Sequence, residues 1–300
     1  MKRFLVRMAV FFAIVAAVDF SLGKVFSSLQ AGKAGGRTGV EYYACRKATE
    51  EVIVMGSSKA SHHYVPALIT EGLGMSCFNA GQDGNGIILQ YGRWKMLSER
   101  YSPKLLIYDI NPTFDLGVND NMTYLDRLKP FSGDRAVADY IASLFPLERI
   151  KLLSGMYRFN YKFLELAADC LRKGDYLSDG GYIPLTGRIR PEIVAQEPAA
   201  KLASLDTDPV KLGCLEQLLR EAKDKGTEVI FVVSPAWRGG NYTADAYRCV
   251  SDLARSYGAG FYEYVDSALC DEPDLFEDSS HLNDLGARAF TKDLVSRISK

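Results

Sequence analysis

A serine in the first quarter of the chain and an Asp-x-x-His pair near its end are the residues best suited to nucleophilic chemistry. Ser58 lies in the stretch GSSKASHH, and Asp278 and His281 lie in EDSSHLNDLG. A serine hydroxyl becomes a strong nucleophile when an imidazole accepts its proton, and a carboxylate then orients the imidazole and stabilises its charge. The three residues therefore predict acyl transfer through a covalent intermediate.

Acyl transfer also needs fixed donors for the negative charge that develops on the carbonyl oxygen. Gly81, in FNAG, has no Cβ, so its backbone N–H can approach a substrate closely. Asn111, in YDINP, can offer its side-chain NH₂ group. We predict an oxyanion hole made of these two residues and the backbone N–H of Ser58. A simple turn built by Asn79 and Gly81 is the alternative, as is capping of the last helix by Asp278, Ser279 and Ser280. Asn283 or Asp284 is the preferred N-cap of that helix.

The pattern of apolar residues predicts the elements that carry these side chains. Short apolar runs with the composition of buried parallel strands are EVIVMG, MSCFNAG, KLLIYDI, TEVIFVVSP and AGFYEYVD. Segments with helical spacing alternate with them. The alternation predicts an α/β fold with three αβα layers and a doubly wound, five-stranded parallel sheet of flavodoxin-like order. Ser58, Gly81 and Asn111 lie at or just beyond the carboxyl ends of three strands, where such sheets bind ligands.

The first 26 residues are predicted to be a signal anchor or a signal peptide. Basic residues precede an apolar run over residues 4–22, which is just long enough to cross a bilayer if Arg7 and Asp19 are tolerated near its ends. A cleaved signal and a buried core helix are the alternatives to an anchor. With an anchor, the positive charges keep the N-terminus in the cytoplasm. The rest of the chain is then exported to the periplasmic or cell-surface side, anchored to the inner membrane.

The remaining chain is predicted to hold a linker and one domain. Residues 27–40 are rich in Gly, Ser and Ala without periodicity, which favours a linker. Residues 41–300 then form the α/β domain. Its rhythm is interrupted at about 113–205 by helical stretches and Gly- and Pro-bearing loops, so we predict a helical insertion that acts as a lid over the ligand crevice.

Composition disfavours several other classes. The formal net charge is −1 and no long basic run occurs, so no nucleic-acid partner is expected. The six cysteines show no metal-ligand spacing, and most are expected to be isolated buried thiols. GSSKASHH lacks both common phosphate-binding patterns, which disfavours a nucleotide or flavin binder. No cofactor and no metal are predicted.

Four blocks of the sequence resemble the SGNH or GDSL-type hydrolases. The blocks, in the family's order, are VIVMGSS, FNAG, IYDIN and DSSH. The resemblance implies that Ser58 is the nucleophile, that His281 is the general base and that Asp278 orients it. It also implies that Gly81 and Asn111 complete the oxyanion hole with the Ser58 backbone N–H.

The sequence departs from this family's pattern in two places. Ser57 stands where the family most often has Asp, and we interpret it as a helix N-cap. The third block reads Asp-Ile-Asn-Pro around Asn111, where the family usually has Gly-x-Asn-Asp. In combining Gly-Ser-Ser with an N-terminal membrane segment, the chain resembles envelope proteins that are similar to O-acetyltransferases or deacetylases of bacterial glycans.

Four more residues are candidates for substrate binding. His62 and His63 follow Ser58 closely, so either one borders the pocket or both have a polar surface role. Adjacent histidines on a helix point about 100° apart, which disfavours a shared zinc site with His281. Trp237 and Arg238, after the fourth strand, suit stacking on a sugar ring and binding of an anionic group. The alternative for Trp237 is a loop tryptophan that covers the core.

The sequence thus predicts a serine-dependent esterase or O-acyltransferase. Its expected substrate is a small acyl ester, in the first place acetyl, of an extracytoplasmic carbohydrate. The sequence does not distinguish a hydrolase from a transferase. The alternative is a non-catalytic SGNH-like module for glycan binding or envelope assembly.

Overall fold

The computed structural model describes residues 1–32, 35–172 and 177–299. The chain divides into two compact units, which we call the N-terminal unit and the sheet unit. The N-terminal unit consists of residues 1–46 and 121–176, and the sheet unit of residues 47–120 and 177–300.

The sheet unit contains one parallel sheet with the strand order β2-β1-β3-β4-β5. Its strands are β1 (Val52–Gly56), β2 (Cys77–Asn79), β3 (Leu105–Asp109), β4 (Glu228–Val233) and β5 (Gly260–Glu263). Each strand falls within one of the five apolar runs of the sequence. The predicted doubly wound five-stranded sheet is therefore confirmed, with the flavodoxin-like order.

Helices account for most of the remaining regular structure. They are α1 (Lys2–Gly32), α2 (Gly36–Arg46), α3 (Ser58–His63), α4 (Pro66–Leu73), α5 (Ile87–Ser98), α6 (Arg135–Leu144), α7 (Glu148–Lys151), α8 (Gly155–Phe159), α9 (Phe163–Leu171), α10 (Pro191–Val194), α11 (Pro209–Asp224), α12 (Arg248–Tyr257) and α13 (Asp284–Ile298). The predicted cap of the last helix is confirmed at Asn283, whose side chain accepts a hydrogen bond from the Gly286 N–H.

Helices cover both faces of the sheet and so form the outer two of three layers. Helices α3, α4 and α13 pack together on one face, and α5, α11 and α12 pack together on the other. Between the sheet and α13 lies a buried apolar core that includes Val54, Ile107, Val232, Phe290 and Leu294. Strands with apolar residues on both sides suit this position, because each strand is covered on both faces.

The N-terminal unit contains α1, α2 and α6–α9, and its packing changes the expected linker. Residues 27–40 were predicted to lack regular structure, but α1 continues into this stretch and α2 begins within it. Two residues between these helices, 33 and 34, lie outside the described residues. Phe26 and Leu29 of α1 pack against Phe159 and Leu166, and this contact favours helix over the disorder that the Gly- and Ser-rich composition suggests.

The predicted insertion is divided between the two units. Residues 121–172 belong to the N-terminal unit and contain α6–α9, whereas residues 177–205 belong to the sheet unit and contain α10. In the described part of 113–205 no residue lies in a strand, as expected. Residues 173–176 of the insertion fall outside the described residues.

Helix α1 is long and apolar enough to cross a membrane. The side chains of its most apolar window are not buried in the protein, which contradicts the alternative of a buried core helix. Among the described residues the six cysteines form no disulfide, and four of them are buried.

Candidate active site

Ser58 stands at a sharp turn between the first strand and the helix that follows it. β1 ends at Gly56, whose φ of 140° lies in a region that L side chains rarely adopt. A Cβ at this position would also come within 2.7 Å of the Asp109 backbone oxygen. Glycine therefore allows the strand to turn, and α3 begins with Ser58 at the carboxyl edge of the sheet.

Ser58, His281 and Asp278 form a continuous chain of hydrogen bonds. The His281 Nε2 lies 2.8 Å from the Ser58 Oγ. The His281 Nδ1 lies 3.1 Å and 3.0 Å from the two carboxylate oxygens of Asp278. A carboxylate on Nδ1 favours the proton on that nitrogen, so Nε2 is left to accept the hydroxyl proton of the serine. The three residues have the geometry of a nucleophile, a base and its orienting group.

The loop that carries Asp278 and His281 is held in shape by its own backbone. Phe276 and Leu282 form an isolated antiparallel bridge around it. The Asp278 carboxylate also accepts the backbone N–H groups of Ser280 and His281, at 2.7 Å and 2.9 Å. Burial raises the pKa of Asp278, but the hydrogen bonds from His281 and Ser280 outweigh it and lower the pKa to about 2. The orienting carboxylate is therefore ionised at neutral pH.

His63 lies buried behind His281 and is fixed as a neutral ring. The Leu282 N–H donates to the His63 Nε2 at 3.0 Å, so the ring proton is on Nδ1, which contacts the Ser234 Oγ at 3.1 Å. Burial holds the pKa of His63 well below its usual value, and the positive charge of Lys59 acts in the same direction. With both ring nitrogens engaged, His63 has no lone pair left to bind zinc.

His62 also lies against His281 and not at the surface. Its ring centre is 5.7 Å from that of His281, at an interplanar angle of 87°. The His62 Nδ1 lies 2.8 Å from the Ile183 backbone oxygen, and its Nε2 lies 3.4 Å from an Asp83 carboxylate oxygen. Neither His62 nor His63 lines the cavity at Ser58, and both are buried, so the polar surface role is wrong. They instead pack around the ring of His281.

Asn79 and Gly81 secure α3 beneath Ser58. The Asn79 Nδ2 donates to the backbone oxygens of Ala60 and Tyr64, at 2.7 Å and 2.9 Å. The Gly81 N–H donates to the Asn79 Oδ1 at 3.0 Å, and a Cβ on Gly81 would come within 2.4 Å of the Ser61 nitrogen. Glycine is required here for close approach to α3. The Gly81 N–H is bound to Asn79, and Gly81 does not line the cavity. The structure therefore does not bring Gly81 into the predicted oxyanion hole.

Asn111 lines the cavity at the end of β3. Its Oδ1 accepts the N–H groups of Thr113 and Phe114, at 3.0 Å and 3.3 Å, in the π-helical turn Pro112–Leu116. This arrangement leaves the Nδ2 as the available donor of the amide. The Asn111 N–H donates to the buried Asp115 at 2.7 Å, and burial raises the pKa of Asp115 to about 7 although this bond acts in the opposite direction.

Ser57 occupies the N-cap position of α3, as predicted, but its side chain makes no capping hydrogen bond. Its Oγ is buried without a partner among the described residues. The Ser57 hydroxyl therefore does not cap the helix.

Trp237 and Arg238 both line the cavity, on the turn that follows β4. The Arg238 guanidinium lies over the Trp237 ring, 5.3 Å from its centre. The Trp237 backbone N–H donates to the Ser279 backbone oxygen at 3.1 Å, which ties this turn to the loop that carries His281. Trp237 also packs against the apolar core, with its ring 5.7 Å from that of Phe276. It therefore covers core and borders the cavity at once.

The cavity has a volume of about 410 Å³ and opens onto the Ser58 hydroxyl. Two residues that the sequence analysis did not single out contribute to it, Lys59 and Ser234. The Lys59 ammonium donates to the Ser234 backbone oxygen at 3.2 Å. Their positions were available from the sequence, because one directly follows Ser58 and the other directly follows β4.

No protein-family model and no curated protein matches the chain. Among solved structures, an α/β hydrolase enzyme from the metagenome of Lake Arreo, Spain, is 11% identical with a TM-score of 0.41, over 84% of this chain and 96% of that one. A candidate acylhydrolase from Bacteroides fragilis is 12% identical with a TM-score of 0.35, over 92% of this chain and 96% of that one. At this distance the likeness extends no further than the fold.

Proposed function

We propose that this chain is a serine-dependent esterase or O-acyltransferase of the SGNH type. The observation that carries the proposal is the contact of 2.8 Å between the His281 Nε2 and the Ser58 Oγ, with Asp278 on the opposite ring nitrogen. The strand order and the four sequence blocks support the assignment to this family. No contact between these residues is needed to hold the sheet together, so their alignment is best explained by chemistry.

The proposed reaction has two halves. The Ser58 Oγ attacks the ester carbonyl carbon while its proton passes to the His281 Nε2, and the ester C–O bond breaks as the leaving oxygen takes that proton. Water or a sugar hydroxyl then attacks the acyl-serine and gives its proton to His281, and the acyl–Ser58 bond breaks with return of the proton to Ser58. Asp278 stabilises the imidazolium in both halves. The Asn111 amide and the Ser58 N–H are the proposed donors to the oxyanion.

The proposed substrate is a small acyl ester, in the first place acetyl, of an extracytoplasmic carbohydrate. Trp237 on the cavity wall suits stacking against a sugar ring. Hydrolysis and transfer share the acyl-serine and differ in whether water or a hydroxyl accepts the acyl group.

We also propose that α1 is retained as a membrane anchor. The Asp19 carboxylate of α1 accepts hydrogen bonds from Ser154, Gly155 and Met156 at the start of α8. Removal of the first 26 residues as a signal peptide would take away Asp19 and, with it, these hydrogen bonds to α8. The sheet unit is then on the exported side of the membrane.

One observation favours a non-catalytic module instead. The Gly81 N–H is committed to Asn79, which removes one donor of the oxyanion hole that the family resemblance implies. A binding module would keep the fold and the cavity without turnover.

Hydrolysis of p-nitrophenyl acetate by the full chain in detergent distinguishes the enzyme from the binding module. We expect turnover that falls to the level of the uncatalysed reaction in Ser58→Ala and His281→Ala. Ser57→Ala is the matched control and should keep full activity, because the Ser57 hydroxyl has no hydrogen-bond partner among the residues that the structure describes. Equal rates in all four folded proteins would reject the enzyme and favour the module.

A further inference from the structure

Lys59 is a buried cation on the wall of the candidate catalytic cavity. The residue is only 8% exposed, yet it lines the same cavity as Ser58 and His281. Its ammonium has three N–H donors and donates one of them to the Ser234 backbone oxygen. No carboxylate of the described residues lies within 4.0 Å of it. Two donors of a buried positive charge are therefore left for a ligand.

A structural role as the partner of Asp109 does not account for this position. Asp109 is buried on β3, and its carboxylate accepts the Tyr64 hydroxyl at 2.6 Å, while Lys59 is beyond ion-pair distance. Burial lowers the pKa of Lys59, and the charge of Asp109 only partly offsets this. An unpaired buried charge costs free energy, which a bound anion would offset.

The rest of the cavity wall is also more positive than negative. Lys201 and Arg238 line it, and Glu197 is the acidic side chain among its described lining residues. The Arg238 guanidinium donates to two backbone carbonyl oxygens, and within the described part of the chain no carboxylate lies at ion-pair distance from it. Lys201 has a carboxylate partner in the exposed Asp266, at 3.7 Å. With Lys201 paired to Asp266, the two cations Lys59 and Arg238 face one lining carboxylate, Glu197, and this excess gives the cavity a potential that attracts anions.

We propose that the cavity takes esters that carry an anionic group, a carboxylate or a phosphate, and that Lys59 is the specificity-determining residue that binds this group. The proposal rests on the esterase function proposed above and names its substrate class. Because Lys59 directly follows Ser58, the anionic group lies close to the ester that Ser58 attacks.

Two esters that differ by one carboxylate test the proposal. We expect the full chain to cleave p-nitrophenyl hemisuccinate with a kcat/KM about tenfold or more above that for p-nitrophenyl acetate, mainly through KM. Lys59→Met should remove this preference, and Lys59→Arg should restore it. Lys95→Met is the matched control, because this half-buried lysine of α5 is bound to Glu221 and does not line the cavity, so its loss should leave the preference intact. An equal loss for both esters in Lys59→Met would overturn the proposal.

Binding to Ser58→Ala separates this proposal from the enzymatic one, because it needs no turnover. Titration calorimetry should show binding of monomethyl succinate and none of neutral dimethyl succinate, and Lys59→Met should abolish it. Monomethyl phosphate in a parallel titration shows which anion is preferred. Selective anion binding without any esterase activity would reject the proposed reaction and keep the Lys59 site, whereas equal binding of the charged and neutral esters would overturn the site.

A second inference concerns the N-terminal unit and stands on different residues. Its segment 147–171 exposes large apolar side chains, each at least 68% accessible: Leu147, Ile150, Leu153, Leu164 and Leu171. Several large apolar side chains exposed along one short segment of a folded unit mark an interaction surface.

The contact between this segment and α1 indicates what covers its apolar side chains. The start of α8 packs on α1 at Gly23, where a Cβ would come within 2.6 Å of the Gly155 Cα. A hydrocarbon core of about 30 Å corresponds to about 20 residues of helix, so a span that begins at Phe4 ends near Gly23. Segment 147–171 therefore lies at the level where α1 leaves the bilayer. We infer that its apolar side chains insert into the membrane interface beside α1.

Quenching by lipids with brominated acyl chains tests this inference on the full chain in nanodiscs. Leu153→Trp should lose emission relative to the same protein in unbrominated lipid, after subtraction of the parent signal. Leu285→Trp, an exposed position of the sheet unit, is the matched control and should not be quenched. Absence of quenching at residue 153 would overturn the inference and leave a protein partner for this surface.

Discussion

At the scale of single residues, the candidate centre depends on which proton each group holds. Asp278 is ionised because its pKa is lowered to about 2, and it keeps the His281 proton on Nδ1. His63, which packs behind His281, stays neutral because its pKa is lowered, so it places no positive charge next to the His281 ring. The serine hydroxyl therefore faces a nitrogen that is free to accept its proton.

Replacing Asp278 by Asn should lower kcat by about 10³–10⁴-fold, because the amide favours the wrong tautomer of His281. The measurement is p-nitrophenyl acetate hydrolysis at neutral pH. Asp274→Asn, an exposed carboxylate on the same loop, is the control and should behave as the parent. A similar loss in both variants would assign the effect to the loop and not to the carboxylate at His281.

His63 predicts a specific pH dependence of stability. Its folded pKa lies well below 6.5, so below that pH the unfolded chain binds a proton that the folded chain does not. The free energy of unfolding should then fall with decreasing pH by up to about 1.4 kcal/mol per unit from this residue alone. Urea unfolding between pH 7.5 and pH 5, followed by the fluorescence of Trp94 and Trp237, measures it in the sheet unit.

His63→Gln keeps a donor and an acceptor but does not titrate, so it should remove this part of the pH dependence. Because Asp109 and the other titrating groups are common to both proteins, the difference between their slopes isolates His63. Identical slopes would show that His63 takes up a proton in the folded state.

At the scale of elements, α3 is positioned by close backbone packing and by Asn79. Gly81→Ala should destabilise the sheet unit by about 1–3 kcal/mol and lower kcat, because the added methyl group displaces the start of α3. Gly213→Ala is the matched control: this glycine of α11 has open space around it, and alanine should raise stability by up to about 1 kcal/mol. Unfolding curves and kcat for both variants decide this, and a fully active Gly81→Ala would contradict the positioning role.

The same elements show what the sequence made predictable. The five strands and the cap at Asn283 follow from local patterns of apolar residues and capping side chains, and they were predicted. The hydrogen bond from the Gly81 N–H to Asn79 is the simple turn that was predicted as the alternative to the oxyanion hole. The close packing of α3 against this turn was not predicted, because it joins segments that are separate in the sequence. Lys59 escaped notice for a similar reason: nothing local indicates that its ammonium is buried in the cavity.

At the scale of the whole molecule, the chain combines a sheet unit that carries the candidate site with a unit built on an apolar helix. The sequence predicted this helix, but it predicted a linker over residues 27–40. Contacts of Phe26 and Leu29 with residues more than a hundred positions away made the difference, and no window of sequence contains both partners.

Retention of α1 predicts that the chain in membranes is intact. Intact mass of the protein extracted from the membrane fraction should show the N-terminal 26 residues present, and alkaline carbonate should not release it. A soluble, shortened chain in the exported fraction would indicate a cleaved signal peptide instead.

The central claim is that Ser58 is acylated. Its most direct test is intact-protein and peptide mass spectrometry of the full chain mixed briefly with p-nitrophenyl acetate and quenched in acid. The account predicts one acetyl group on Ser58 in the parent protein, and no acetyl group in Ser58→Ala or in His281→Ala. An acetyl group elsewhere, or equal labelling of the parent and His281→Ala, would contradict it.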